Sequence, residues 1–122
     1  MNDQAPATLE RYFLLLDGSD PSTAAEAFAE SAILSLAGTE ANPGRKRYDG
    51  RAAIEGFFVD RGSLPTRHVL TRWCGDRAGG LAEGVIVDND DCTIASFVIS
   101  LDFDHDGLIR RYVGYNSFPA AG

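Results

Sequence analysis

Few side chains in this sequence can pass a proton near neutral pH, and the two histidines, His68 and His105, are the first to weigh. An imidazole can accept and donate a proton close to neutrality, so general acid–base chemistry is the reaction class to test first. His105 lies in Asp104-His105-Asp106-Gly107, a turn signal between two apolar runs, and is expected in solvent. His68 opens an apolar run, where it reads either as a pocket group or as a satisfied histidine of an edge strand. Other chemistries have less support. Asp102, Asp104, Asp106 and Gly107 imitate the start of a calcium loop, but Val113 stands where a bidentate Glu is required. Cys74 and Cys92 are far apart and in no metal-like spacing, which points to two reduced, partly buried thiols in a cytoplasmic protein, with a disulfide between neighbouring strands as the alternative. No Ser-His-Asp elbow, glycine-rich phosphate loop or zinc pair appears.

The elements that must hold these groups fall into two halves. Leu9, Tyr12, Phe13 and Leu16 recur at helical steps from Thr8 to Leu16, and Asp17-Gly18 ends that helix with Gly expected in the left-handed conformation. Asp20-Pro21 opens a second helix carrying Ala24, Ala25, Phe28 and Ala29, with Asp20 as its cap. Ala32 to Leu36 reads as a short strand, Thr39 to Arg47 as a polar loop turning at Asn42-Pro43-Gly44, and Arg51 to Val59 as a third helix with Ile54, Phe57 and Phe58 inward. Four strands follow: His68 to Cys74, Leu81 to Val87, Cys92 to Phe103 and Leu108 to Tyr115. In the third, Ala95, Phe97, Ile99, Leu101 and Phe103 share one face, with Ile94, Ser96, Val98 and Ser100 on the other. Helices first and a meander afterwards define an α+β fold.

The totals narrow the partners. The chain has 122 residues, the size of one domain, and carries 18 acidic against 11 basic side chains for a net charge of −7. That balance repels nucleic acid and anionic lipid, and the Arg45-Lys46-Arg47 cluster reads as a solvated loop. Met1 to Ala7 lacks the basic start and apolar core of a secretory leader, and no apolar stretch has the length of a membrane span.

In order and spacing, these signals resemble the nuclear-transport-factor-2-like superfamily, in particular its SnoaL-like branch, over nearly the whole chain. The residues that carry the resemblance are Arg11-Tyr12-Phe13, Leu16-Asp17-Gly18-Ser19-Asp20, Phe28-Ala29-Glu30, Tyr48-Asp49-Gly50-Arg51-Ala52-Ala53-Ile54, His68, and Phe103-Asp104-His105-Asp106-Gly107-Leu108-Ile109. The resemblance implies a cone-shaped α+β barrel: three N-terminal helices on a curved, mostly antiparallel sheet around an apolar pocket, often dimeric through the sheet's outer face. Enzymes of this kind act on small hydrophobic molecules without cofactors.

Two catalytic sets of the family can be matched to this sequence residue by residue. The ketosteroid-isomerase set places Tyr12 on its tyrosine but puts Leu36 and Ile99 where its two carboxylates belong. Neither can move a proton. The scytalone-dehydratase-like set places Asp17 and His68 on a hydrogen-bonded carboxylate and histidine, with Glu83 near the position of a second histidine, Ser96 on a polar pocket position and Leu16 where a tyrosine stands. On this resemblance the expected catalytic residues are Asp17, His68, Tyr12 and Glu83, and the expected substrate contacts Leu16, Leu36, Phe57, Trp73, Ser96 and Val98. The reading is a lyase or isomerase of a polyketide-like or cyclic-ketone metabolite. A non-catalytic binding or interaction module, or a structural subunit resembling the small chain of ring-hydroxylating dioxygenases, is the alternative.

Overall fold

A computed structural model of the chain describes residues 5–37 and 44–117. It comprises helix α1 (Ala7–Leu16), a 3-10 helix (Pro21–Ala27), strands β1 (Phe28–Leu36) and β2 (Lys46–Asp49), helix α2 (Arg51–Arg61), and strands β3 (Thr66–Gly75), β4 (Gly79–Asp88), β5 (Thr93–Phe103) and β6 (Ile109–Ser117). The strands form one six-stranded sheet in the order β2-β1-β6-β5-β4-β3, antiparallel throughout except where β1 lies parallel to β6. This is an α+β fold of three helices on a curved sheet.

Each layer follows from the spacing of its apolar residues. On α1 the stripe Leu9, Tyr12, Phe13 and Leu16 is buried, and on β5 the odd-numbered set from Ala95 to Phe103 is buried while Ser96 and Val98 are exposed. Helix α2 buries Ile54 and Phe58. The largest fully buried side chains include Phe28, Phe58, Leu9 and Leu34. Each such burial stabilises the fold by roughly 1.5–3 kcal/mol over the exposed chain.

Several local expectations are corrected. Phe28 and Ala29 belong to β1, not to the second helix, because Phe28 pairs with the distant Ile109. What remains of that helix is the short 3-10 segment. Asp20 does precede it, yet its carboxylate caps no backbone N–H and instead accepts the Ser22 hydroxyl at 2.6 Å. Gly18 is not left-handed: no positive φ occurs there, and its N–H continues to Leu15 O at 3.2 Å. Lys46 to Asp49, expected partly as loop, is an edge strand beside β1. Asn42 and Pro43 of the expected turn lie outside the described residues.

The topology sorts the molecule into two ends. β3 and β5 begin where β1, β4 and β6 finish, and the C-termini of α1 and α2 reach the same end, tied by the Ser63 hydroxyl donating to Gly18 O at 3.3 Å. At the other end the start of α1 meets the β5–β6 turn, with the Thr8 hydroxyl donating to Gly107 O at 2.8 Å. Among the described residues no helix is long and apolar enough to cross a membrane.

Candidate functional site

Asp17 is the first residue past the buried stripe of α1, still in helical geometry at φ −84°, ψ −2° with its N–H on Phe13 O at 2.9 Å. That position aims its carboxylate across to β3. Oδ2 accepts the backbone N–H of His68 at 2.7 Å, and Oδ1 lies 2.8 Å from the ring Nδ1. A carboxylate only accepts, so the shared hydrogen belongs to Nδ1, and the neutral ring carries its lone pair on Nε2. Phe13 stacks on the imidazole with centroids 4.7 Å apart, and Phe97 meets it edge-on at 5.4 Å. Both side chains of the pair are only 13% exposed. Nε2 has no partner among the described residues, where no buried side-chain nitrogen or oxygen is left unpaired, so this atom keeps contact with the exterior.

A second polar group lies deeper. The ring of Tyr12 packs on Phe13, Phe28, Phe58 and Tyr112 at centroid distances of 4.9, 5.4, 6.0 and 5.4 Å. Burial, above all, raises the pKa of both phenols well beyond the ordinary tyrosine value. The positive charge of Arg61 works against this rise at both, and the negative charge of Asp17 adds to it. Both phenols therefore stay protonated through the neutral range, able to donate a hydrogen bond but not to act as bases. Tyr112 was not among the residues read from sequence. Its signal was its alternation with Gly114 on the last strand, where it looks like ordinary core; Ile109 joins that face only because the β5–β6 register shifts between Asp102 and Phe103.

The remaining expected residues divide sharply. Glu83 is exposed on the outer face, in a row with Arg72, Val98 and Tyr115, and cannot assist His68. Ser96 and Val98 share that outer face, so neither contacts a ligand held between helices and sheet. Trp73 does point inward, but at the far end of β3 against Phe103 at 6.2 Å, away from the histidine. Leu16 is core, Leu36 is partly buried against the core, and Phe57 is half-buried and stacked on Tyr48 at 4.6 Å. Leu36 and Ile99 are both apolar and packed, so neither supplies a carboxylate.

The described clefts lie on the rims. One of about 270 Å³ at the end that holds the pair is lined by Asp17, Leu64, Pro65, Arg67, Asp88 and Asp91. A larger one of about 520 Å³ lies at the opposite end against Thr8, Arg77, Phe103 and His105. Neither is lined by His68. Both cysteines are free and, contrary to expectation, exposed. Arg45 is more than solvated loop: it donates to Ser35 Oγ at 2.7 Å and lies over the Tyr115 ring at 4.5 Å. Among the described residues no group of three or more His, Cys, Asp or Glu side chains could hold a metal ion.

No protein-family model matches the chain, and no curated protein does. Solved structures do match over nearly its full length. A candidate isomerase of the SnoaL-like family from Agrobacterium tumefaciens superposes with a TM-score of 0.69 at 14% identity, covering 90% of this chain and 94% of the other. A candidate ketosteroid isomerase from Kribbella flavida gives 0.65 at 22% identity, covering 95% and 78%. A protein of ketosteroid isomerase-like fold from Catenulispora acidiphila, solved in complex with trimethylamine, gives 0.69 at 14% identity, covering 92% and 86%. At these identities the likeness is one of fold, and the fold is that of the nuclear-transport-factor-2-like proteins, SnoaL-like members among them.

Proposed function

We propose that this chain is a cofactor-independent isomerase or lyase that moves a proton on a small, largely hydrophobic carbonyl compound, with His68 as base and acid. The observation that carries this reading is the double hold of one carboxylate: Asp17 fixes the backbone and the ring of the same histidine, and leaves Nε2 for a substrate. In the first step the C–H bond next to a carbonyl breaks, its electron pair forms a C=C bond, and the carbonyl π pair moves onto oxygen. Nε2 takes the proton. Asp17 then faces an imidazolium, which its negative charge favours. Returning the proton to another carbon gives an isomer; protonating a β-hydroxyl as it leaves gives a dehydrated product and water. Tyr12, neutral and able to donate, is the second donor in this scheme, and Glu83 has no part in it. Small-ligand binding by the trimethylamine-bound relative of like fold is in keeping with this reading.

The test is loss of α-protons in D₂O, followed by NMR over a panel of cyclic ketones and 1,3-diketones, for the parent chain, His68→Gln and Asp17→Asn. Exchange above buffer that both substitutions abolish supports the proposal. No exchange by the parent, or equal exchange by His68→Gln, ends it.

The packing of Phe13 and Phe97 on the imidazole favours a second reading, a binding module without turnover in which the pair is structural. For either reading we place a homodimer contact on the outer face, where Leu81, Val98 and Tyr115 are 54%, 41% and 53% exposed. Val98→Asp is expected to shift sedimentation toward the monomer; an unchanged sedimentation coefficient would reject this contact.

A further inference from the structure

Arg61 has no role in the scheme above, yet its place is unusual for a surface arginine. It continues the buried stripe of α2, one turn beyond Phe58 and two beyond Ile54, so it lies on the helix face turned toward the core. Phe58 packs on Tyr12, and Ser63 ties this helix end to Gly18, the neighbour of Asp17. Arg61 is half-buried, and its one hydrogen bond among the described residues runs from Nη1 to Gly62 O at 3.1 Å. No carboxylate lies within ion-pair distance of it among the described residues, in a chain with 18 of them. Its charge is felt by both buried phenols, and theirs is the same pair that feels Asp17.

We infer that Arg61 is the anchor for an anionic oxygen of the ligand at the His68 end, and that the ligand is an enolisable carbonyl compound whose oxygen faces this guanidinium. The inference rests on the proposed proton transfer. When His68 removes the α-proton, the oxygen that receives the carbonyl pair becomes negative. Nε and Nη2 of Arg61, both without partners among the described residues, are the donors that oxygen would meet, and a charge-assisted bond strengthens as the charge develops. Elsewhere the chain repels anions, with its net charge of −7, so any preference for an anion must come from a local cation.

The probe is 4-nitrophenol, whose phenolate mimics an enolate and absorbs distinctly, set against the neutral isostere 4-nitroanisole. The parent chain is expected to bind the phenolate tighter than the anisole by roughly tenfold to a hundredfold, the range of a hydrogen bond to a charged group. Arg61→Met should erase that preference while leaving nitroanisole binding unchanged. Arg61→Gln repeats the test should the methionine variant lose its fold. His68→Gln should keep the preference, which separates the anchor from the imidazole, and its loss of proton exchange reports on the base alone. Equal binding of the two probes by the parent, or a preference that survives both Arg61 substitutions, would overturn the inference even if proton exchange is observed.

Discussion

Among its described residues the molecule has two histidine–aspartate pairs, one at each end of the sheet, and they share nothing but chemistry. His68 and Asp17 are 51 residues apart in sequence, 2.8 Å apart in space, and each 13% exposed. His105 and Asp106 are neighbours in a turn, 3.5 Å apart, and 91% and 68% exposed. The first pair is held by a helix end, a strand and two aromatic rings. The second sits on a turn braced by the Asp104 carboxylate, with its own side chains in solvent. Water screens the exposed pair, whereas the covered pair keeps one geometry, and fixed geometry is what proton transfer needs.

The comparison breaks most visibly in activity. His68→Gln is expected to lower proton exchange by about 10²–10⁴-fold, the usual contribution of a positioned acid–base group, while His105→Gln leaves the rate unchanged. Equal effects of the two substitutions would mean that the contrast has no functional content. Next comes stability. Asp17→Ala strands the His68 N–H and is expected to cost roughly 1–3 kcal/mol in urea unfolding, whereas Asp106→Ala should leave the transition midpoint where it was.

Gly84 tests the packing that holds the imidazole. A Cβ there would come within 2.4 Å of both Phe97 Cζ and Val69 O. Gly84→Ala must push Phe97 off the His68 ring, with an expected loss of about 1–3 kcal/mol and a change in the His68 ring signals by NMR. The smallest effect is the pH response of the deep phenols. Their folded pKa values lie above the unfolded one, so the folded chain keeps protons that the unfolded chain releases above about pH 10. Stability is therefore whole below that pH and falls above it, by roughly 1.4 kcal/mol per pH unit per tyrosine. Tyr12→Phe and Tyr112→Phe should each flatten the alkaline slope, and an unaltered slope would place the phenols in contact with water.

Much of the fold was legible because it is written locally. The stripe of α1 and the alternation of β5 name their own buried faces, and the turns at Asp88–Asp91 and Asp104–Gly107 name their own ends. The candidate pair was legible differently, through the likeness of Asp17 and His68 to a family pattern. The same likeness failed for Glu83, Ser96 and Val98. For the last two the alternation on β5 had already assigned the outer face, and that local signal was the better guide.

Other features depended on partners far along the chain. Whether Phe28 ends a helix or begins a strand was decided by Ile109, its partner in β6. On β3 the register shifts between Leu70 and Arg72, so Leu70 and Trp73 both face inward although simple alternation would oppose them. The sequence by itself determined which residues must leave water and roughly where the chain must turn, since side-chain periodicity depends only on near neighbours. Only the tertiary structure decided that one carboxylate grips the strand and ring of His68 while the end of α2 is tied to the end of α1. Those contacts join the ends of two helices to the start of a strand, and no local spacing encodes them.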